Sequence, residues 1–69
     1  MRIDRVKLIA EMARQNIRIK DLAEKALVSR VTITAMRSGK SCNVNSARRV
    51  AQALGVPLET LLEESGKEV

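Results

Sequence analysis

The chain has 69 residues and contains no phenylalanine, tyrosine or tryptophan. Its core must therefore be built from leucine, isoleucine, valine, methionine and alanine, which suit short, closely packed helices better than a β-sandwich. A chain of this length is expected to form one domain with a modest core. The missing rings also remove the stacking platforms on which RNA and single-strand readers of the RRM or OB type rely. The composition favours a single, compact, all-α domain.

Two short helices with a tight bend between them are predicted over residues 19–37. Leu22, Ala23 and Ala26 share one face of the first helix, and Ser29 is a good N-cap residue for the second. At about 100° per residue, the second helix divides into an inner packing arc and an outer arc. The outer arc is small, partly apolar, positively charged and free of carboxylates, and it consists of Arg30, Val31, Thr34, Ala35 and Arg37. A helix that enters a groove of an anionic polymer needs a face of this kind.

The formal charge of +5 is unevenly distributed along the chain. Residues 1–55 carry twelve Lys and Arg against four Asp and Glu, whereas residues 56–69 carry one Lys against four Glu. No carboxylate lies between Glu24 and Glu59. A basic helical surface exposed to solvent would by itself account for the excess of positive charge. Combined with the bent helix pair, the distribution favours a side that faces a polyanion and an acidic, solvated tail.

Caps and helix breakers divide the rest of the chain into further helices. Asp4 is a plausible N-cap for the first helix, and Gly39 is expected to end the third. Asn45 or Ser46 is the expected cap of the fourth, and Pro57 fits the first turn of a fifth. The predicted helices cover about residues 4–15, 19–26, 30–37, 46–54 and 57–63 of a single domain spanning residues 1–69. Residues 65–69 have nothing to bury and are expected to fray.

Three stretches together resemble the phage repressor/Cro-like (XRE-type) helix-turn-helix family. They are L-A-x-x-x-x-V-S-R-x-T-I-T over residues 22–34, a Ser-Gly-Lys loop, and A-R-R-V-A-Q-A-L-G-V-P-L-E-T-L-L over residues 47–62. The resemblance covers about residues 4–63. It implies a compact five-helix bundle, the lambda repressor-like DNA-binding domain, whose members are transcriptional regulators that usually bind operator DNA as dimers. It also implies that residues 20–26 lie against the DNA backbone and residues 29–37 in the major groove.

The chain departs from the family pattern at the start of the second helix and at the turn. The family usually has Ser or Thr followed by Gln where this chain has Arg18 and Ile19. That phosphate anchor is either lost or replaced by Arg18 and Lys20. The turn position that Gly often fills is Leu27, so the turn must avoid a left-handed residue or bear its strain.

A further departure concerns an ion pair. Members commonly pair an Arg late in the first helix with a Glu at the end of the recognition helix, where this chain has Met12 and Arg37. Changing both partners avoids leaving one charge buried alone. Arg37 is then available to pair with Glu11 or to reach a phosphate.

Candidate base readers lie on the outer arc. Arg30 is assigned to direct readout, because a guanidinium can bind O6 and N7 of guanine together, worth about 1–3 kcal/mol of discrimination; a solvated or phosphate-bound Arg is the alternative. Val31 is assigned to a thymine methyl group, Ala35 fits such a contact or simple exposure, and Thr34 fits a base or a phosphate.

The candidate phosphate contacts are Arg18, Lys20, Ser29, Arg37, Lys40, Ser41 and Asn43. Arg48 and Arg49 fit either a DNA-facing or a solvent-facing position.

A second copy of the chain is expected on DNA. One recognition helix reads only a few base pairs, and two half-sites about one turn apart multiply specificity. Leu58, Leu61 and Leu62 are mainly core positions, and the apolar edge that they leave is the candidate dimer contact.

Enzymatic chemistry has little support in the sequence. There is no His, no Gly-rich phosphate loop and no paired carboxylates in a plausible cleft, so no catalytic residue, metal site or cofactor is predicted. The lone Cys42 has no internal disulfide partner and is interpreted as an incidental loop thiol. No apolar run approaches the length of a membrane span, and the expected location is cytoplasmic, on the nucleoid.

Two functional hypotheses remain. The first is a DNA-binding regulator that binds the major groove of a palindromic operator as a homodimer and represses transcription. The second is a protein-interaction module, antitoxin-like or an adaptor, on the same fold with weak or non-specific DNA binding. Ile19 and the apolar Val31 and Ala35 favour the second, and the one-sided positive charge from Lys25 to Arg49 favours the first.

Overall fold

The computed structural model describes residues 1–62 and is all-helical. Its four α-helices and one 3₁₀ turn are α1 (Arg5–Gln15), α2 (Ile19–Ala26), α3 (Arg30–Arg37), α4 (Val44–Leu54) and η1 (Leu58–Leu61). Helix α2 packs against α3 and α4, and α1 packs against α3, α4 and η1. The largest fully buried side chains are Ile3, Leu8, Leu22, Ile33, Met36, Val50 and Leu61. Burial of each contributes roughly 1.5–3 kcal/mol to the stability of the fold.

The prediction of a fifth α-helix is wrong, because residues 58–61 form a 3₁₀ turn. The chain becomes extended again at Leu62, which pairs with Ile3 in an isolated antiparallel bridge. The N–H of Asp4 donates to the carbonyl of Leu61 at 2.8 Å, and Nζ of Lys7 donates to the carbonyl of Leu62 at 3.1 Å. These carbonyls are satisfied by the N-terminal part of the chain rather than by a further helical turn. The expected fraying of residues 65–69 lies outside the described residues.

Helix α1 is bounded by two residues with clear local roles. Oδ1 of Asp4 accepts hydrogen bonds from the N–H groups of Val6 and Lys7, so Asp4 caps the helix. Asn16 ends it in the left-handed conformation, with φ of 54°.

The cap of α4 differs from the predicted one. Oδ1 of Asn43 accepts from the N–H of Asn45 at 2.7 Å, and the helix begins at Val44. The prediction that Asn45 or Ser46 caps this helix is therefore wrong by about two residues. All three residues are polar enough to cap, and the backbone turns into the helix at the earliest of them.

Residues 1–3 form an extended segment that was not predicted from the sequence. Arg2 pairs with Ser41 in an isolated antiparallel bridge, and the N–H of Cys42 donates to the carbonyl of Met1 at 2.7 Å. Ile3, which forms the bridge to Leu62, has a fully buried side chain. The segment therefore ties η1 to the loop that follows α3.

Candidate nucleic-acid interface

Helices α2 and α3 are joined by a turn in which a leucine adopts the left-handed conformation. Leu27 has φ of 61° and ψ of 41°, and its side chain is 77% exposed. The N–H of Val28 donates to the carbonyl of Ala23 at 3.1 Å, and Nη1 of Arg49 donates to the carbonyl of Leu27 at 3.3 Å. The turn thus bears the strain of a non-glycine residue, about 1–2 kcal/mol, and α4 supports it through Arg49.

Helix α3 is held by its first turn and by its inner face. Oγ of Ser29 accepts from the N–H of Thr32 at 3.1 Å, and the hydroxyl groups of the two residues lie 2.9 Å apart. Ile33 and Met36 are fully buried. Because buried side chains at i and i+3 fix the rotation of a helix, the opposite face is presented in a defined orientation.

The outer face of α3 carries the residues predicted to read bases. Arg30, Val31 and Thr34 are exposed, and the Val31 side chain is exposed to 78%. Ala35 is half-buried and presents less surface. This face therefore offers a guanidinium, an isopropyl group and a hydroxyl group. They match the hydrogen-bonding groups and the thymine methyl groups on base edges in the major groove.

Most of the predicted phosphate contacts lie at the ends of α2 and α3. Arg18 and Lys20 are exposed at the start of α2, and the Arg18 side chain makes no capping hydrogen bond there. Lys40 and Ser41 are exposed in the loop after α3. Asn43 is also exposed, and because its Oδ1 caps α4, its amide N–H₂ group remains as the outward donor.

Arg37 does not pair with Glu11, so that alternative is wrong. The Glu11 carboxylate accepts instead from the Arg14 guanidinium and from Nε2 of Gln15, at 2.7 Å for the latter. Hydrogen bonds from Arg14 and then Gln15 lower the pKa of the Glu11 carboxyl, and the same pair raises the pKa of Arg14. Arg37 is half-buried, and within residues 1–62 its buried Nε has no hydrogen-bond partner.

Leu58, Leu61 and Leu62 differ in how much surface they leave. Leu61 is fully buried inside the protomer, where it packs in the core. Leu58 and Leu62 are half-buried. An apolar edge for a second copy would therefore consist of Leu58 and Leu62, without Leu61.

Cys42 is a free, half-buried thiol, and burial raises its pKa. A thiol with a raised pKa is a poor nucleophile at neutral pH. Across the part of the chain that the structure describes, no group of three or more His, Cys, Asp or Glu side chains is arranged to hold a metal ion. No helix there is long and apolar enough to cross a membrane.

The fold and the exposed face of α3 together define a helix-turn-helix DNA-binding domain. A protein-family model described as the Cro/C1-type HTH DNA-binding domain matches residues 7–65. The chain belongs to this family. Searches of curated proteins and of solved structures returned no match.

Two features of the site were missed at the level of sequence. Arg49, for which the sequence fits either a DNA-facing or a solvent-facing position, supports the turn at Leu27 through its hydrogen bond. The pairing of Arg2 with Ser41 was not anticipated. The alternation of apolar Met1 and Ile3 around Arg2 is the signal of an extended segment, although three residues are too few to make it specific.

Proposed function

We propose that this protein is a sequence-specific regulator of transcription that binds the major groove of double-stranded DNA. The observation that carries the proposal is the outer face of α3, where Arg30, Val31 and Thr34 are exposed while Ile33 and Met36 anchor the opposite face. No carboxylate occurs between Glu24 and Glu59, a range that contains all of α3, the loop after it and α4. A groove lined by phosphates attracts such a surface and would repel an acidic one.

Sequence discrimination is assigned to three side chains. Arg30 binds O6 and N7 of a guanine, Val31 contacts a thymine methyl group, and Thr34 donates or accepts a hydrogen bond at a base edge or phosphate. Ala35 is half-buried and adds at most a small methyl contact.

Affinity is assigned to contacts with the DNA backbone on both sides of α3. Arg18 and Lys20 contact one phosphate run from the start of α2. Lys40, Ser41 and the amide of Asn43 contact another from the loop after α3, and Ser29 and Arg37 contribute from the two ends of α3 itself. Each charged contact releases counterions, so binding should weaken steeply as salt rises.

Dimer formation and repression complete the proposal. Two copies paired through Leu58 and Leu62 would place two recognition helices on half-sites of a palindrome, about 34–36 Å apart. A dimer that occupies such an operator, on the nucleoid in the cytoplasm, represses by blocking transcription.

The test is selection from a randomised pool of duplex DNA, followed by sequencing and a salt series. Wild type should enrich a palindrome with half-sites about one turn apart. Arg14→Ala serves as the matched control, because Arg14 is an exposed arginine that pairs with Glu11 on α1. Arg30→Ala should lose preference at one position of each half-site, and Arg14→Ala should retain it. A pool without enrichment contradicts the proposal.

A protein-interaction module on the same fold is the second candidate. Leu27 and Val31, exposed to 77% and 78%, are two large apolar side chains at the turn and at the start of α3. Antitoxin-like and adaptor domains would use such groups to bind a protein. Absence of an enriched sequence, together with weak, salt-sensitive DNA binding, would favour this candidate over the first.

A further inference from the structure

We propose that Arg2 and Arg5 bind the phosphate backbone of duplex DNA beside the loop that follows α3. This inference rests on the proposed function and adds a contact region outside the helix-turn-helix. It assigns a binding role to residues 1–5, which lie before the residues matched by the family model.

The first observation is the pairing of the N-terminal segment with the loop. Arg2 pairs with Ser41, and the N–H of Cys42 donates to the carbonyl of Met1 at 2.7 Å. The fully buried Ile3 anchors this segment in the core. Arg2 is therefore held one strand spacing, about 5 Å, from the backbone of the loop that carries Lys40 and Asn43.

The second observation places Arg5 on the same loop. Gly39 has φ of 84°, and a Cβ atom built on it would lie 3.6 Å from Cδ of Arg5. The aliphatic stem of Arg5 thus lies over Gly39, on the side that a Cβ atom would occupy. Its guanidinium begins one bond beyond Cδ, so this charge also lies at the loop.

The third observation is that the neighbouring carboxylate, Asp4, pairs with neither arginine. Asp4 is the carboxylate between the two arginines, and its Oδ1 is directed at the N–H groups of Val6 and Lys7 as the cap of α1. Within residues 1–62, Arg2, Arg5 and Lys40 form no ion pair. Three positive charges on these side chains against the one negative charge of Asp4 leave a local excess that attracts a polyanion.

The position of the cluster identifies its ligand. The loop follows α3 directly, so a duplex that receives α3 in its major groove has its flanking phosphates at this loop. Both arginines are exposed, and a guanidinium on a long stem matches phosphate oxygens. They lie at the loop beyond the C-terminal end of α3, whereas Arg30 begins the helix, so base edges are left to Arg30 and its neighbours. Arg2 and Arg5 should therefore add affinity and salt dependence without adding sequence preference.

The experiment compares Arg2→Gln/Arg5→Gln with wild type on one duplex selected by the wild-type protein and on one scrambled duplex. Loss of two phosphate contacts should make the negative slope of log K against log salt shallower by about 1.8 on both duplexes. The preference for the selected duplex over the scrambled one, at equal salt, should stay unchanged. Arg2→Lys/Arg5→Lys should restore most of the slope, because charge is the property required.

Arg14→Gln is the matched control for lost charge. Arg14 lies near the other end of α1, about 14 Å along the helix axis from Arg5, and its removal should leave the slope at the wild-type value. Thermal unfolding of each variant checks that the fold is kept. A wild-type slope in Arg2→Gln/Arg5→Gln overturns this inference alone. A wild-type protein that selects no sequence overturns the proposed function instead, so the two failures are distinguishable.

Discussion

Arg49, on α4, donates a hydrogen bond from Nη1 to the carbonyl of Leu27, the left-handed residue of the turn between α2 and α3. The contact spans 22 residues of sequence and connects the helix-turn-helix to the helix behind it. Leu27 contributes little burial of its own, since its side chain is 77% exposed. The turn is therefore a strained position whose geometry is imposed by its neighbours.

Replacing Leu27 by Gly should stabilise the protein. Glycine removes a left-handed strain of about 1–2 kcal/mol, and the greater entropy of its unfolded chain costs about 0.4–1 kcal/mol, for a net gain of up to about 1.6 kcal/mol. Leu27→Ala is the control, because it removes the same exposed side chain and keeps the strain. Urea unfolding should rank Leu27→Gly above both Leu27→Ala and wild type. If Leu27→Gly were less stable than Leu27→Ala, the claim that the left-handed conformation strains Leu27 would be contradicted.

Removing the Ser29 hydroxyl should destabilise α3. The hydroxyl accepts from the N–H of Thr32, and loss of an N-cap typically costs about 1 kcal/mol. Ser29→Ala should lower the free energy of unfolding by that amount, whereas Ser29→Asn, which can still cap, should stay near wild type. Equal stability of the Ala and Asn variants would mean that the cap contributes nothing.

Truncating Ile3 should destabilise the whole domain, although Ile3 precedes the first helix. Its side chain is fully buried, and Ile→Ala in a core costs about 2–5 kcal/mol against about 0.5–1.5 kcal/mol for Ile→Val. Calorimetry should show a graded loss of melting temperature in the order Ile3→Val, then Ile3→Ala. An unchanged melting temperature for Ile3→Ala would contradict the docking of the N-terminal segment.

Glu11 should make a pH-dependent contribution to stability. Its pKa is lowered in the folded protein by hydrogen bonds from Arg14 and Gln15, so its contribution is present above the ordinary glutamate pKa of about 4.3 and is lost as pH falls through the lowered value. Urea unfolding from pH 7 to pH 2 should show wild type more stable than Glu11→Gln at neutral pH, with the difference shrinking in acid. A difference that is constant across this range would exclude the linkage.

The helix-turn-helix was largely predictable because its signals are local. Ser29 before a helix, with Ile33 and Met36 three residues apart, predicts both the start and the buried face of α3. Residues 19–26 and 30–37 were predicted as helices, and α2 and α3 have these bounds. The family resemblance, resting on the same residues, is confirmed by the match over residues 7–65.

The parts that were missed depend on contacts between residues distant in the chain. Leu62 pairs with Ile3, and η1 ends after four residues. No sequence pattern near Pro57 predicts this pairing. The strain at Leu27 was one of two alternatives predicted for the turn, and leucine has no preference for the left-handed conformation that would have decided between them. Asn43, rather than Asn45, caps α4, and it directly follows Cys42, whose N–H donates to the carbonyl of Met1.

The central claim is that Arg30 reads a base, and single-base-pair discrimination tests it most directly. Equilibrium binding would be measured at one salt concentration for the selected duplex and for duplexes changed at one base pair of each half-site. Wild type should discriminate against the change at the Arg30 position by about 1–3 kcal/mol, and Arg30→Ala should bind both duplexes equally at that position while discriminating as before elsewhere. Undiminished discrimination at every position in Arg30→Ala would contradict the claim.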